Sequence, residues 1–143
     1  MLWKVLDACL LVAATVAVHA VGLAALLRAM TKPHALPPTR FWPITWLLIR
    51  VAWSLIFVHV IEITVWGLFY VWRGCLPDAA SALYFSGVTY ATVGYGDLVL
   101  PGPWRMLAPI EGLTGILMCG LSTGVFFIIV SRLFFTPFKV KTE

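Results

Sequence analysis

The chain has 143 residues, of which 62% are hydrophobic and 11% charged, and its mean hydropathy is +0.98. Soluble globular proteins are about 45–50% apolar, so this composition excludes a soluble globular domain and indicates a membrane protein. The length allows one domain and leaves no segment for a soluble partner domain. The net charge of +4 comes from dispersed lysines and arginines, which argues against a nucleic-acid partner. The cysteines follow no metal-binding or redox spacing and are interpreted as small buried hydrophobic residues: Cys9, Cys75 and Cys119.

The first predicted element is a transmembrane helix within residues 1–30. Residues 9–27 carry no formal charge, and this run of 19 residues is long enough to cross a hydrocarbon core of about 30 Å. A cleaved signal peptide is the weaker alternative, because the run exceeds the usual apolar region of about 7–15 residues. Residues 31–43 contain four prolines and are predicted to form a loop.

Residues 44–135 are predicted to form one further unit, with two long helices and a short one between them. The long helices are expected at residues 44–72 and 104–135. The apolar stretch 78–91 is too short to cross a membrane and is typical of a re-entrant helix, with Asp78 as its N-cap. The predicted fold class is therefore an all-α membrane protein with three transmembrane helices and one re-entrant helix.

Positively charged residues orient these helices in the membrane. Most of them fall at one end of the predicted spans: Arg28, Lys32, Arg40, Arg50, Arg132, Lys139 and Lys141. Because cytoplasmic segments carry an excess of lysine and arginine, the loop 31–43 and the short tail 136–143 are predicted to be cytoplasmic. The N-terminus then lies outside, and a bacterial inner membrane is the expected location.

Irregular backbone interrupts the unit at residues 92–97, which read TVGYGD. Unpaired peptide groups are costly in a membrane, so such a segment has to be buried in protein or line a water-filled path. Gly94 and Gly96 can take left-handed conformations at no steric cost, and backbone of alternating hand points successive carbonyls to one side. The segment is predicted to present a ladder of carbonyl oxygens, which suits a monovalent cation because no oxygen carries a full charge.

The residues Thr89 and Thr92 to Asp97 resemble the signature sequence of the potassium channels, in which TVGYG loops form the selectivity filter. The resemblance covers residues 44–135, which are laid out like a two-helix pore module. The whole chain resembles a small prokaryotic potassium channel with one extra N-terminal transmembrane helix. The resemblance implies a homotetramer in which 44–72 is the outer helix, 78–91 the pore helix, 92–97 the filter and 104–135 the pore-lining inner helix.

The resemblance also implies roles for individual residues. Gly96 completes the filter, and Asp97 lies at its outer mouth, where the Tyr84 hydroxyl is expected to brace it. Ala91 and Val88 depart from the pattern, since many members have threonine at the first position and some have glutamate at the second. The carbonyl oxygens expected to bind K⁺ are those of Thr92, Val93, Gly94 and Tyr95.

Polar residues within the spans are candidates for gating or pH sensing, because ionisable groups in a membrane are costly and often functional. His59 and Glu62 are three residues apart and share one helix face. Glu111 is expected to approach either Glu62 or the back of the pore helix, with Arg105 as its nearest cation. The alternative is a structural hydrogen-bonded pair. His19 stands alone in the first helix, where a packing or hydrogen-bonding role is the simpler interpretation.

Gly115 and Gly120 on the inner helix are candidates for a hinge that opens the pore. Close packing between helices through small residues explains the same glycines equally well.

The sequence therefore predicts a potassium-selective channel without enzymatic activity or bound cofactor, with K⁺ as the permeant ion and membrane lipid as the surrounding partner. A non-conducting or regulatory membrane subunit and a weakly selective monovalent cation channel are the alternatives.

Overall fold

Four α-helices make up the fold in the computed structural model, which describes residues 2–30 and 41–135. They are α1 (Leu2–Met30), α2 (Phe41–Trp72), α3 (Ala79–Tyr90) and α4 (Leu107–Phe135), with a 3₁₀ turn at Gly102–Trp104 before α4. Three helical segments are long and apolar enough to cross a membrane, and they correspond to α1, α2 and the last helix with its preceding turn. The predicted all-helical class with three membrane-capable helices is confirmed.

Two helix boundaries differ from the predicted ones. The second helix begins at Phe41 instead of residue 44, with Pro43 in its first turn. The last helix begins at Leu107 instead of residue 104, with Pro109 in its first turn. Both shifts have one reason: the first amides of a helix have no intrahelical partner, so proline is tolerated there. The rest of the predicted loop, residues 31–40, and the tail 136–143 lie outside the described residues.

Residues on both sides of the short helix α3 cap it through hydrogen bonds. Asp78 adopts extended backbone, and its Oδ1 accepts a hydrogen bond of 2.8 Å from the Ser81 amide. This bond holds the pKa of the Asp78 carboxyl below its usual value, so the N-cap is ionised at neutral pH. Ala91 caps the other end through its amide, which bonds to the Gly87 carbonyl at 3.0 Å.

The helices α1 and α2 run antiparallel. Three contacts show this, since the residue number increases along α1 from one contact to the next and decreases along α2. Arg73, just after α2, donates to both carboxylate oxygens of Asp7 at 2.7 Å. Further along, the Trp66 indole donates to the hydroxyl of Thr15 at 2.9 Å. A Cβ on Gly22 would lie 2.5 Å from a methyl of Val58, so glycine permits the close approach there.

The short helix α3 lies between α2 and α4 and rests on an apolar cluster at the Arg73 end of the bundle. Trp66 and Tyr70 are fully buried in that cluster beside Phe85 of α3. In a second apolar cluster, at the other end of the bundle, Val51 and Leu55 of α2 are buried together with Ile129 of α4. Cys75 is buried, whereas Cys9 and Cys119 are exposed in the single chain, so the prediction of three buried thiols is wrong for two of them.

Candidate functional site: the segment after α3 and the helices behind it

The backbone that follows α3 alternates between right-handed and left-handed conformations. Positive φ angles occur at Thr92 (60°), Gly94 (54°) and Gly96 (77°), so every second residue is left-handed. This is the alternation predicted from the two glycines, and it is confirmed. Thr92 is the unexpected member, because a β-branched residue rarely takes a positive φ unless its surroundings hold it there.

Hydrogen bonds to the end of α3 hold this backbone in place. The Thr92 amide donates to the Thr89 carbonyl at 2.9 Å, and the amides of Val93 and Gly94 donate to the Val88 carbonyl at 2.8 and 3.1 Å. In a trans peptide the carbonyl points opposite to the amide. The carbonyls that precede these three amides, those of Ala91, Thr92 and Val93, therefore point away from α3.

Residues Ala91 to Asp97 are exposed in the single chain. No atom lies within 4 Å of where a Cβ would stand on Gly94 or Gly96, so the surface beside both glycines is open. Irregular backbone cannot face lipid, because its polar groups would go unsatisfied. This surface therefore requires water or further protein against it.

The predicted contact between Tyr84 and Asp97 is present. The Tyr84 hydroxyl donates to Oδ2 of Asp97 at 2.7 Å, and the Leu98 amide donates to Oδ1 at 3.0 Å. The hydrogen bond from Tyr84 holds the pKa of the Asp97 carboxyl below its usual value. A negative charge therefore stands at the end of the segment at neutral pH.

The first of two buried carboxylates behind α3 is Glu62, which is fully buried. Nδ1 of His19 lies 2.9 Å from its Oε1, and Nδ1 of His59 lies 3.0 Å from its Oε2. The Tyr90 hydroxyl also donates to Oε2, and it lies 3.0 Å from Nδ1 of His59. Three possible donors from α1, α2 and α3 therefore converge on one carboxylate.

The second buried carboxylate, Glu111 of α4, has different neighbours. The Tyr70 hydroxyl donates to Oε2 at 2.7 Å, and the Ser86 hydroxyl lies 2.5 Å from Oε1 and 2.9 Å from the carbonyl of Ile63. A hydroxyl has one hydrogen, so Ser86 cannot donate to both acceptors. Both contacts are satisfied when Ser86 donates to Ile63 and a protonated Glu111 donates to Ser86.

These networks decide between the expected positions of Glu111. It approaches the back of α3 through Ser86, and its hydrogen-bond partners in the described chain are Tyr70 and Ser86. Arg105 as its nearest cation stays a prediction. Glu62 and Glu111 belong to separate hydrogen-bond networks. Gating or pH sensing through Glu62, His59 and Glu111 stays a prediction.

Comparison with known families supplies the last observation. A family model described as "Ion channel" matches residues 57–132, more than half of the chain. The chain belongs to this ion channel family. No curated protein and no solved structure matches it. With three membrane-capable helices, the protein is an integral membrane protein, and its family supports ion channel function.

The family match covers most of α2 to α4 and leaves α1 outside. It begins within α2 and ends near the end of α4, so it contains α3 and the alternating segment. The helix α1 lies outside the matched range, yet His19 of α1 contacts Glu62 inside it. The two parts of the channel therefore share a polar contact behind the segment.

The two candidate hinge glycines of the channel have different surroundings. A Cβ on Gly115 would collide with the backbone carbonyl of Tyr90, so this glycine is required for close packing of α4 against α3. No atom lies within 4 Å of the Cβ position on Gly120, which is open in the single chain. Packing within the chain therefore explains the glycine at position 115 but not the one at position 120.

Several polar residues of the channel were not singled out from the sequence as partners of the carboxylates: His19, Tyr70, Ser86 and Tyr90. A signal existed for His19. It follows Asp7 by twelve residues, and Glu62 precedes Arg73 by eleven. An ion pair between Asp7 and Arg73 in antiparallel helices would have placed His19 and Glu62 at one depth.

Proposed function

We propose that the protein is a potassium-selective channel in which the segment 92–97 is the filter, α3 the pore helix, α2 the outer helix and α4 the pore-lining helix. The alternating hand of the backbone at Thr92, Gly94 and Gly96 carries this proposal. Such backbone, with its first amides tied to α3, suits a row of carbonyl oxygens that replace the hydration shell of a cation. K⁺ binds at the carbonyls of Thr92, Val93, Gly94 and Tyr95.

The exposure of the filter in the single chain supports a homotetramer. One strand of carbonyls cannot surround an ion, whereas four copies around an axis can, and they also cover polar backbone that lipid cannot satisfy. Asp97, repeated four times at the outer mouth, concentrates cations there. Tyr84 braces each Asp97 through the hydrogen bond between them.

The proposed setting is a bacterial inner membrane with the N-terminus outside and the C-terminus in the cytoplasm. The position of Arg28 and Arg132 in the last turns of α1 and α4 supports this orientation. Transport needs no covalent chemistry, and no enzymatic activity or cofactor is proposed. The surrounding lipid is the other partner.

Ion flux from purified protein in liposomes tests the proposal. The wild type should release K⁺ down its gradient, and reversal potentials under bi-ionic conditions should favour K⁺ over Na⁺ by at least tenfold. Gly94→Asp should abolish flux, because a side chain is strained at its positive φ. Gly102→Asp is the matched control, since Gly102 has open space and no positive φ.

The outcomes separate the alternatives. Flux without selectivity would identify a weakly selective cation channel. Absence of flux from a protein shown to be tetrameric by cross-linking would favour a non-conducting or regulatory subunit. A monomer in bilayers would contradict the shared filter.

A further inference from the structure

A cluster of two imidazoles and one carboxylate lies behind α3, away from the filter surface. We propose that His19, His59 and Glu62 form a binding site for a divalent transition-metal ion, for which zinc is the expected occupant. One ligand atom from each residue lies within 4.8 Å of the others. The side chains are 2%, 18% and 0% exposed, respectively, so the site is enclosed by α1 and α2.

The chemistry of the ligands selects the class of ion. Imidazole nitrogen suits zinc, copper, nickel and iron, whereas calcium and magnesium prefer all-oxygen sites. Two histidines and one carboxylate are a ligand set found in zinc sites. The two imidazoles approach different oxygens of Glu62, so the carboxylate lies between them.

The geometry needs an adjustment of about an ångström to hold an ion. Zinc lies about 2.0–2.2 Å from nitrogen and oxygen ligands, so two ligand atoms of a tetrahedral site stand about 3.3–3.6 Å apart. Atoms now up to 4.8 Å apart therefore have to approach each other by roughly 1.2–1.5 Å. The rings of His19 and His59 already stand close, with centroids 5.5 Å apart. The Tyr90 hydroxyl, 3.0 Å from Nδ1 of His59, is placed to complete a fourth position.

Charge also favours a cation at this place. Glu62 is fully buried at the depth of the membrane, and its ion pairs within the described chain are made with the two histidines. Neutral imidazoles leave its negative charge uncompensated, which is costly in such surroundings. A bound divalent ion supplies the missing positive charge.

The ring of His19 does not oppose coordination. Its Nε2 is buried and has no hydrogen-bond partner. When zinc binds Nδ1, the ring hydrogen moves to Nε2, so one nitrogen lacks a partner with or without the metal. The number of unsatisfied ring nitrogens is therefore unchanged by binding.

Metal at this site would connect α1 to the base of the filter. His19 belongs to α1, which lies outside the family match, and Tyr90 precedes Thr92 by two residues. A zinc ion held by His19, His59 and Glu62, with Tyr90 beside them, would fix three helices against one another at that level.

Zinc binding can be measured without any ion flux. The protein is purified through a tag that contains no histidine, stripped with EDTA in detergent and titrated with Zn²⁺ against a chromophoric chelator. The wild type should bind one zinc per chain, and zinc should raise its thermal midpoint. His19→Gln and Glu62→Gln should each lower the affinity at least tenfold, because each removes a ligand. Glu111→Gln is the matched control for Glu62→Gln, because Glu111 is equally buried and belongs to a separate hydrogen-bond network, and it should leave the affinity unchanged.

Folding of each variant is checked by its thermal midpoint in EDTA. A variant that does not fold is replaced by His59→Gln, which lies at the more exposed edge of the cluster. The proposal is overturned when the wild type binds no zinc, or when His19→Gln and His59→Gln both bind zinc as tightly as the wild type. Either result would leave the potassium flux experiment unaffected.

Discussion

The two ends of the proposed filter are held in different ways. At its base, Tyr90 of α3 is 2% exposed, donates to Glu62 and packs its carbonyl against Gly115. At its outer mouth, Asp97 is exposed and bonds to Tyr84, which is itself 42% exposed. The chain therefore anchors the base of the proposed filter by itself, and it leaves the outer part to water or to neighbouring copies.

The two buried carboxylates add a second contrast behind the same helix. Glu62 faces two imidazoles and a hydroxyl, whereas Glu111 faces two hydroxyls, one of which also contacts the Ile63 carbonyl. The two carboxylates are therefore equally buried but have different partners, and we expect Glu111 to be protonated because Ser86 cannot donate to both of its acceptors.

The largest expected effect is at the anchored end. Glu62→Ala leaves two imidazoles and the Tyr90 hydroxyl without their shared acceptor, so we expect a loss of about 3 kcal/mol in the free energy of unfolding. Detergent-induced unfolding in EDTA measures it. Glu62→Gln keeps one acceptor oxygen and should lose less. If Glu62→Ala were as stable as the wild type, the base of the filter would not be anchored there.

Packing against Tyr90 should produce the next effect. Gly115→Ala forces a methyl group onto the Tyr90 carbonyl and should cost about 1–3 kcal/mol in unfolding free energy. Gly120→Ala is the matched control: it has open space and should gain up to about 1 kcal/mol from helix propensity. Flux through Gly120→Ala also tests the hinge, because unchanged opening would remove Gly120 as its site.

A smaller effect is expected at the second carboxylate. Glu111→Gln offers an amide that donates to Ser86 and a carbonyl that accepts from Tyr70, so it can replace a protonated acid. We expect a loss below about 1 kcal/mol in the same unfolding assay. A loss as large as that of Glu62→Gln would show that Glu111 is ionised and would erase the contrast between the two carboxylates.

The smallest effect on stability should come from the exposed end. Tyr84→Phe removes one exposed hydrogen bond, so the unfolding midpoint should stay at the wild-type value. If Tyr84 braces the filter, K⁺ flux should decline faster during continuous recording than in the wild type. A midpoint lowered as much as by Gly115→Ala would show that both ends of the proposed filter are anchored alike.

The sequence by itself determined the apolar spans, the capped short helix and the left-handed positions at Gly94 and Gly96. These features depend on the length of apolar runs, on prolines and glycines and on one N-cap aspartate, all of which act over a few neighbouring residues. Thr92 shows the limit, because its positive φ is held by hydrogen bonds to α3 and its residue type alone argues against it.

Only the tertiary structure decided which polar side chains meet. His19 and Glu62 are 43 residues apart, and Glu111 forms hydrogen bonds with Ser86 and Tyr70. Such contacts depend on how far each helix is rotated and at what depth it lies against the next. Rotation and depth come from packing between helices, as at Gly22 and Gly115, and no local pattern of residues specifies them.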